Sequence, residues 1–232
     1  MSSVMYKEYA SEYDVAIQGN LYNAKFERPS LLSLLTELEG KKLLDLGCGP
    51  GVYAQELISR GASVTAIDNS EDMIEITRAK IGSNHKAYVQ DISIGLPNEK
   101  SGEFDVVICP LAIHYLKDLN PLFSDVRRVL KHNGQFIFST NHPNVDFRSS
   151  PSGDYFATEE INEEWHTLGR PVPVTYYRRP ISALAGSISC SGMVISNIFE
   201  GLPTEELKKA SLAVFEKLST KLSFMFYVCK LA

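Results

Sequence analysis

A chain of 232 residues with 44% hydrophobic content can bury one large core, or a core with an excursion. Its formal charge of -5 argues against a general nucleic-acid binder, which carries a basic patch. The four cysteines (Cys48, Cys109, Cys190 and Cys229) are scattered, with no CxxC pair and no Cys/His cluster at zinc spacing, so they read as free thiols of a reducing compartment.

Two helices are expected first, over residues 3–14 and over "RPSLLSLLTELEG" at 28–40. In the second, Pro29 suits a first turn, five leucines make one broad apolar face, and Gly40 can end it. Short apolar runs then appear at 42–46, 63–67, 86–90, 104–109 and 134–140, with helical patterns at 52–60, 70–81 and 119–131 between them. Several runs are apolar on consecutive residues, as strands covered on both faces are. Strand–helix alternation of this kind predicts an α/β fold with a parallel, doubly wound sheet. After Thr140 the pattern breaks: residues 141–180 are rich in Pro, Gly, Ser and aromatics, show no clean period, and read as a lid or binding loop. A helix returns at 181–191, closed by Gly192, with an apolar run at 193–199. "LPTEELKKASLAVFEKL" reads as one more helix and 222–231 as a final strand. No apolar run approaches the ~18 residues that span a bilayer. The opening "MSSVMYKEYASEYD" lacks the basic and apolar halves of a signal peptide, so a cytoplasmic protein with no membrane association is expected.

The stretch "LLDLGCGPGVYAQEL" (43–57) puts Gly47, Gly49 and Gly51 at the end of the first strand and starts a helix at once. In an open parallel sheet, ligands sit beyond the carboxyl ends of the strands near the switch point. Glycines there allow positive φ and let a ligand approach the main chain. A dinucleotide site needs GxGxxG, but position 52 is Val, and no Gly-Lys-Ser/Thr closes a P-loop. The competing readings are a tight turn with no ligand, a nicotinamide-dependent oxidoreductase on a similar sheet, and a non-catalytic cofactor-binding module.

The motifs "LLDLGCGPG" (43–51), "VTAIDNSEDMI" (64–74), "VQDI" (89–92), "FDVVICPLAIHYLKD" (104–118) and "RVLKHNGQFIFS" (128–139) occur in the order and spacing of a known family. Together they resemble the class I S-adenosylmethionine-dependent methyltransferases. The flanking "YASEYD" and "YYRRPISALAGSISCSGMVISNIFEGLP" look like the branch acting on small molecules, with a ubiquinone/menaquinone-biosynthesis-like domain. The resemblance implies a Rossmann-like, seven-stranded, mostly parallel sheet with an antiparallel last strand, N-terminal helices and an inserted lid after the fifth strand. It divides a single domain over 1–232 into a helical cap (1–40), a cofactor-binding core (41–140), a substrate lid (141–180) and closing helix and strands (181–232). Asn133 stands where the family often carries a second glycine, which bears on the turn before the fifth strand.

The implied cofactor is S-adenosyl-L-methionine, with S-adenosyl-L-homocysteine as product and a small-molecule methyl acceptor. By resemblance, Asp68 holds the ribose hydroxyls, although an Asp there can also cap the following helix. Asn69 and Met73 would flank the adenine, Met73 being equally suited to the core. Asp91 would hold the exocyclic amine with the amide of Ile92 nearby, or serve as a routine turn residue. Asp45 would orient the glycine loop or face the methionine amino group, with Gly47, Cys48 and Gly49 contributing backbone. Pro110 and Leu111 would border the methionine. His114 and His142 are the candidates for proton handling, because imidazole titrates near neutral pH; a buried structural role is the alternative for His114. Tyr9 and Tyr13 could close over a sulfonium or simply pack. Phe147, Tyr155, Phe156, Trp165, Tyr176 and Tyr177 could line an acceptor pocket or cover core. Arg178 and Arg179 could recognise an acidic group or be solvated. No carboxylate/His spacing resembles a metal's first shell. The oligomeric state is left open.

Overall fold

Apolar residues on consecutive positions, with helices between them, produce a sheet buried on both sides in the computed structural model, which describes residues 4–232. The strands are β1 (Lys42–Leu46), β2 (Ser63–Asp68), β3 (Lys86–Val89), β4 (Phe104–Cys109) and β5 (Leu130–Asn141). They are followed by β6 (Glu159–Trp165), β7 (Val172–Arg178), β8 (Met193–Phe199) and β9 (Phe224–Leu231). Seven of them form one sheet in the order β3-β2-β1-β4-β5-β9-β8. β1 to β5 are mutually parallel, while β9 runs antiparallel to both β5 and β8. The expected seven-stranded sheet with its antiparallel last strand is therefore present.

The helices are α1 (Val4–Lys7), α2 (Ala10–Gly19), α3 (Arg28–Leu32), α4 (Val52–Ser59) and α5 (Glu71–Ile81). After them come α6 (Asn120–Val129), α7 (Pro143–Asp146), α8 (Ile181–Cys190), α9 (Glu205–Ala210) and α10 (Leu212–Thr220). Alternate strand residues serve opposite layers. Leu44, Val107, Phe136 and Phe138 join one core with Phe123 of α6 and Leu184 of α8. Leu43, Ile108 and Ile137 join the other with Leu31 of α3, Leu57 of α4 and Leu218 of α10. The late strand is locked in by packing as well as by its ladder: Tyr227 pairs with Phe138 and their rings stack at 4.8 Å.

Four details depart from the sequence reading. The expected first helix (3–14) begins outside the described residues at Ser3 and is broken after Lys7, resuming at Ala10. The expected helix over 28–40 stops at Leu32; Ser33 bonds back to the Ser30 carbonyl, and Leu35 and Leu38 are buried without being helical. Apolar periodicity recorded their burial, not their backbone. Directly upstream, Asn23–Glu27 winds as a π-helix whose wider turn runs into Pro29, which has no amide to donate. The expected helix at 202–218 is split at Ser211, whose extended backbone ends α9 and whose hydroxyl caps α10 through the Val214 amide.

The largest correction concerns 141–180. Rather than being irregular throughout, this segment contains the β6–β7 hairpin, a second two-stranded antiparallel sheet. β7 alternates, with Val172, Val174, Tyr176 and Arg178 turned inward; Pro173 and the glutamate-rich "EEINEEW" of β6 hide that period. Ile161, Val172, Val174 and Tyr176 pack with Met5 of α1 as a third, smaller core. Since Ile161 is only 2% exposed, Ile161→Ala is expected to lower stability by ~2–5 kcal/mol, the range for buried isoleucine truncation. Urea unfolding followed through Trp165, the single tryptophan, reads this directly. A cost under ~0.5 kcal/mol, as for an exposed loop residue, would show that the hairpin does not pack.

Candidate functional site

The strand order reverses between β1 and β4: from β1 the chain proceeds outward to β2 and β3, and from β4 outward to β5. Loops leaving the carboxyl ends of β1 and β4 must diverge there, and a cavity of about 490 Å³ lies in the gap.

The glycine turn forms one wall. Gly47, Gly49 and Gly51 all have positive φ (68°, 52° and 76°), but they do different jobs. A Cβ on Gly47 would meet Ala112 Cβ at 2.6 Å, so this glycine lets the loop after β4 approach. Its amide and that of Cys48 are spent on the Ile67 carbonyl at the end of β2. A Cβ on Gly49 would meet nothing within 4 Å, which makes Gly49 the place where the backbone stands open to a ligand. Cys48 lines the cavity, but burial raises its thiol pKa, and it is no nucleophile.

Asp68 ties the turn to the second strand. One carboxylate oxygen accepts the Gly49 amide at 3.0 Å and the other accepts the Ser70 amide at 2.9 Å. The cap of α5 is Ser70, whose hydroxyl accepts the Met73 amide, and each Asp68 oxygen keeps a lone pair in the cavity the residue lines. Burial raises its pKa against these amide bonds. Asn69, Asp91, Ile92, Pro110 and Leu111 also line the cavity. Asp91 accepts the Ser93 amide at 2.8 Å and so caps a short 3-10 turn as well. Leu111 holds φ +48°, rare for a branched residue, with its amide donating to Ser139.

Other sequence candidates lie elsewhere. Met73 is buried in α5 and Asp45 is 0% exposed at the end of β1; neither is part of the lining. His142 is also outside it: its Nδ1 accepts the Asn144 amide as the cap of α7, and its Nε2 faces Glu200 at 3.2 Å. Tyr9 carries the Arg170 guanidinium over its ring at 4.6 Å, away from the cavity. Arg178 is bound to Glu159, Ser150 and the carbonyls of Asp154 and Tyr155, and Arg179 donates to the carbonyls of Ile113 and Leu116. Both arginines are buried structural ties, neither solvated nor free to receive an anion.

One side of the cavity is aromatic, and its Tyr13 and Tyr6 come within electrostatic reach of Glu27 and Asp68. Tyr6 and Tyr115 join hydroxyls at 2.6 Å, and Tyr13, Trp165 and Tyr177 stand around them. His114 is 3% exposed, and neither ring nitrogen has a hydrogen-bond partner. Burial, then the charge of Arg179, depresses its pKa to about 3, so the imidazole is neutral at physiological pH.

Sequence reasoning missed Glu27 and Arg28. Glu27 is 2% exposed, lines the cavity, and accepts hydrogen bonds from Tyr53 at 2.8 Å and Ser139 at 2.6 Å. Burial raises its pKa to about 7. Arg28, beside it, also lines the cavity, and its buried Nε has no partner. A lone Glu-Arg pair before a proline carries no sequence signal of burial; the π-helical turn is what aims it inward. Asp45, behind the wall, has both carboxylate oxygens unpartnered, and burial together with Asp68 and Glu27 raises its pKa to about 8.

Residues 44–138 match the family described as a methyltransferase domain. The chain is 39% identical over 127 residues to an uncharacterised protein of Haemophilus influenzae, covering 52% of this chain and 50% of that one. It is 34% identical over 110 residues to a ubiquinone biosynthesis O-methyltransferase of Idiomarina loihiensis, covering 47% and 45%. The matched stretch thus spans about half the length of these relatives. An S-adenosylmethionine-dependent methyltransferase from Mesorhizobium loti superposes with a TM-score of 0.70 at 25% identity, covering 92% of this chain and 99% of its own. No helix among the described residues is long and apolar enough to cross a membrane.

An unpaired buried carboxyl stays protonated, so folded Asp45 holds a proton that the unfolded chain releases. Native stability must then fall as pH rises from the ordinary carboxylate range to about 8. Asp45→Asn is expected to flatten this decline in the ligand-free protein, raising stability at about pH 8 by a few kcal/mol relative to wild type. Melting temperatures compared across pH test this; parallel curves for the two proteins would show that Asp45 is not held neutral.

Proposed function

We propose that this chain, which belongs to the class I S-adenosylmethionine-dependent methyltransferase family, transfers a methyl group from S-adenosylmethionine to a small-molecule acceptor by in-line displacement. The observation that carries the reading is the meeting of three features in one cavity: the open backbone at Gly49 beside Asp68, the unpartnered Nε of Arg28, and the aromatic chamber beyond. Bound there, the cofactor supplies an electrophilic methyl group on sulfur and a neutral thioether as leaving group.

The side chains suit its parts. Asp68 offers two acceptor oxygens to a ribose diol, and charge-assisted bonds of this kind are worth ~1.5–3 kcal/mol each. Asp91 and Ile92 stand at the adenine end, with Asn69 between them and the ribose. The free donor on Arg28 suits the methionine carboxylate, and the wall formed by Gly47, Pro110 and Leu111 suits the chain joining it to sulfur. Tyr6, Tyr13, Tyr115, Trp165 and Tyr177 present ring faces that attract a sulfonium and exclude water. Alignment in such a site can contribute ~7–11 kcal/mol without a covalent intermediate.

His114 contributes orientation in this reading. With a pKa near 3 it is a poor base for an alcohol, but its unpartnered nitrogens can donate to and accept from a hydroxyl group. The names of relatives that specify O-methylation favour an oxygen acceptor.

S-adenosylhomocysteine at about one hundred times its Kd should stabilise the chain by ~2.7 kcal/mol, measured as a rise in Tm. Asp68→Ala and Arg28→Met should each weaken binding at least about tenfold, the loss of one charge-assisted hydrogen bond. An unchanged Kd in either variant removes that residue from the site. Stabilisation by a reduced nicotinamide instead would support an oxidoreductase, and tight binding with no turnover across a broad acceptor panel would support a binding module.

A further inference from the structure

Three carboxylates gather at the end of the cavity where Arg28 lies. Glu27 and Asp68 line it, and Asp45 lies behind it with no hydrogen bond of its own. Glu27 faces a titratable or charged group on nearly every element around it. Arg28 follows on its own turn, Tyr13 comes from α2, Tyr53 from α4 and Asp45 from β1. Ser139 of β5 supplies a hydroxyl, and Asp45 in turn feels both Glu27 and Asp68 of β2. Arg28 is the one cation among these groups.

The three acids differ in what holds them. Asp68 is bound by backbone amides, which only donate and so favour the carboxylate over the acid. Asp45 has no donor at all. Glu27 is bound by two hydroxyls, and a hydroxyl can donate to a carboxylate or, after rotating, accept from a carboxylic acid. Ser139 is anchored for either state, since its Oγ accepts the Leu111 amide at 3.0 Å. Glu27 is therefore the acid of the three that is solvated by the protein in both protonation states and also borders the cavity.

A sulfonium donor carries one positive charge more than its thioether product, and the two are otherwise alike in their ionisable groups. We propose that Glu27 registers this difference, releasing its proton to solvent when the cavity takes the sulfonium and keeping it when the cavity takes the thioether; the proposal rests on the cofactor reading above. Discrimination between donor and product then comes from the floor of the site. The sign follows from linkage. A carboxyl titrating near pH 7 in the free protein is held ionised by a nearby cation, so donor affinity rises with pH up to about 7 and is level above it. The rise can reach about tenfold per pH unit for one proton, while the thioether's affinity changes less. Product competes best at low pH.

Calorimetric titration at about pH 6.5, in two buffers of different ionisation enthalpy, counts the protons released by S-adenosylmethionine and by S-adenosylhomocysteine. More release is expected with the first ligand than with the second, and equal release in Glu27→Gln, which keeps an acceptor but cannot titrate. Tyr53→Phe removes a donor to the carboxylate and should move the pH dependence of the Kd ratio upward; it decides the matter if Glu27→Gln does not fold. Equal proton release by the two ligands in the wild-type protein overturns the proposal, as does a difference that survives in Glu27→Gln or a pH dependence unmoved in Tyr53→Phe. Failure of the wild-type protein to bind either ligand would strike the cofactor reading itself, whereas binding of both with equal proton counts strikes Glu27 alone.

Discussion

A carboxylate enclosed without a cation raises its own pKa, and this site encloses three within reach of one another. That constraint organises the rest. Asp68 remains usable because two amides point at it, that of Gly49 from the turn of three left-handed glycines after β1 and that of Ser70 from the loop after β2. Burial, then Asp68 and Glu27, raise the pKa of Asp45, and burial raises that of Glu27, so this wall of the cavity favours a neighbouring cation. The arginines that a reading of composition would offer to an acidic substrate are consumed elsewhere, by Glu159 and by main-chain carbonyls.

What was legible in the sequence is what backbone geometry demands of residue type. The turn could be read because positive φ at every second position and the approach of Ala112 within 2.6 Å of a Cβ added to Gly47 exclude ordinary side chains. Of the five parallel strands, β1, β2, β4 and β5 could be read because burial on both faces leaves consecutive apolar residues, while β3 is the half-exposed edge. The helix expected over 70–81 is α5, and it starts where a hydroxyl can cap it: Ser70 Oγ accepts the Met73 amide. In each case a local physical requirement narrows the choice of residue to a few types.

The remainder depended on where tertiary packing sends a side chain, which local pattern does not encode. Arg28 merely opens the helix expected over 28–40 and Glu27 lies before it without a signal, whereas in the fold both follow a π-helical turn and line the cavity. Leu35 and Leu38 kept a helical spacing although the chain had already left the helix. The β6–β7 hairpin was obscured by glutamates on both of its faces: Glu160, outside, pairs with Asn162 and Tyr177, while Glu159, inside, is held by Ser150 and Arg178. His114 and His142 look alike in sequence, yet one has no hydrogen-bond partner in an aromatic chamber and the other caps a helix.

That hairpin also bears on how the chamber is closed. Its inner face rests on α1 through Met5 and on the turn after β4 through Arg179, and the hydroxyl pair between Tyr6 and Tyr115 bridges those two supports. Among the described residues the cluster holding it is far smaller than either main core, with five buried residues against twenty-four and twenty-two. Local opening follows the path that exposes least apolar surface and breaks fewest buried hydrogen bonds. Separating α1 from the hairpin meets that condition, whereas parting β1 from β4 would disrupt both main cores and the glycine turn together. Opening at the aromatic side therefore costs least, and the acid-lined floor stays assembled while it happens.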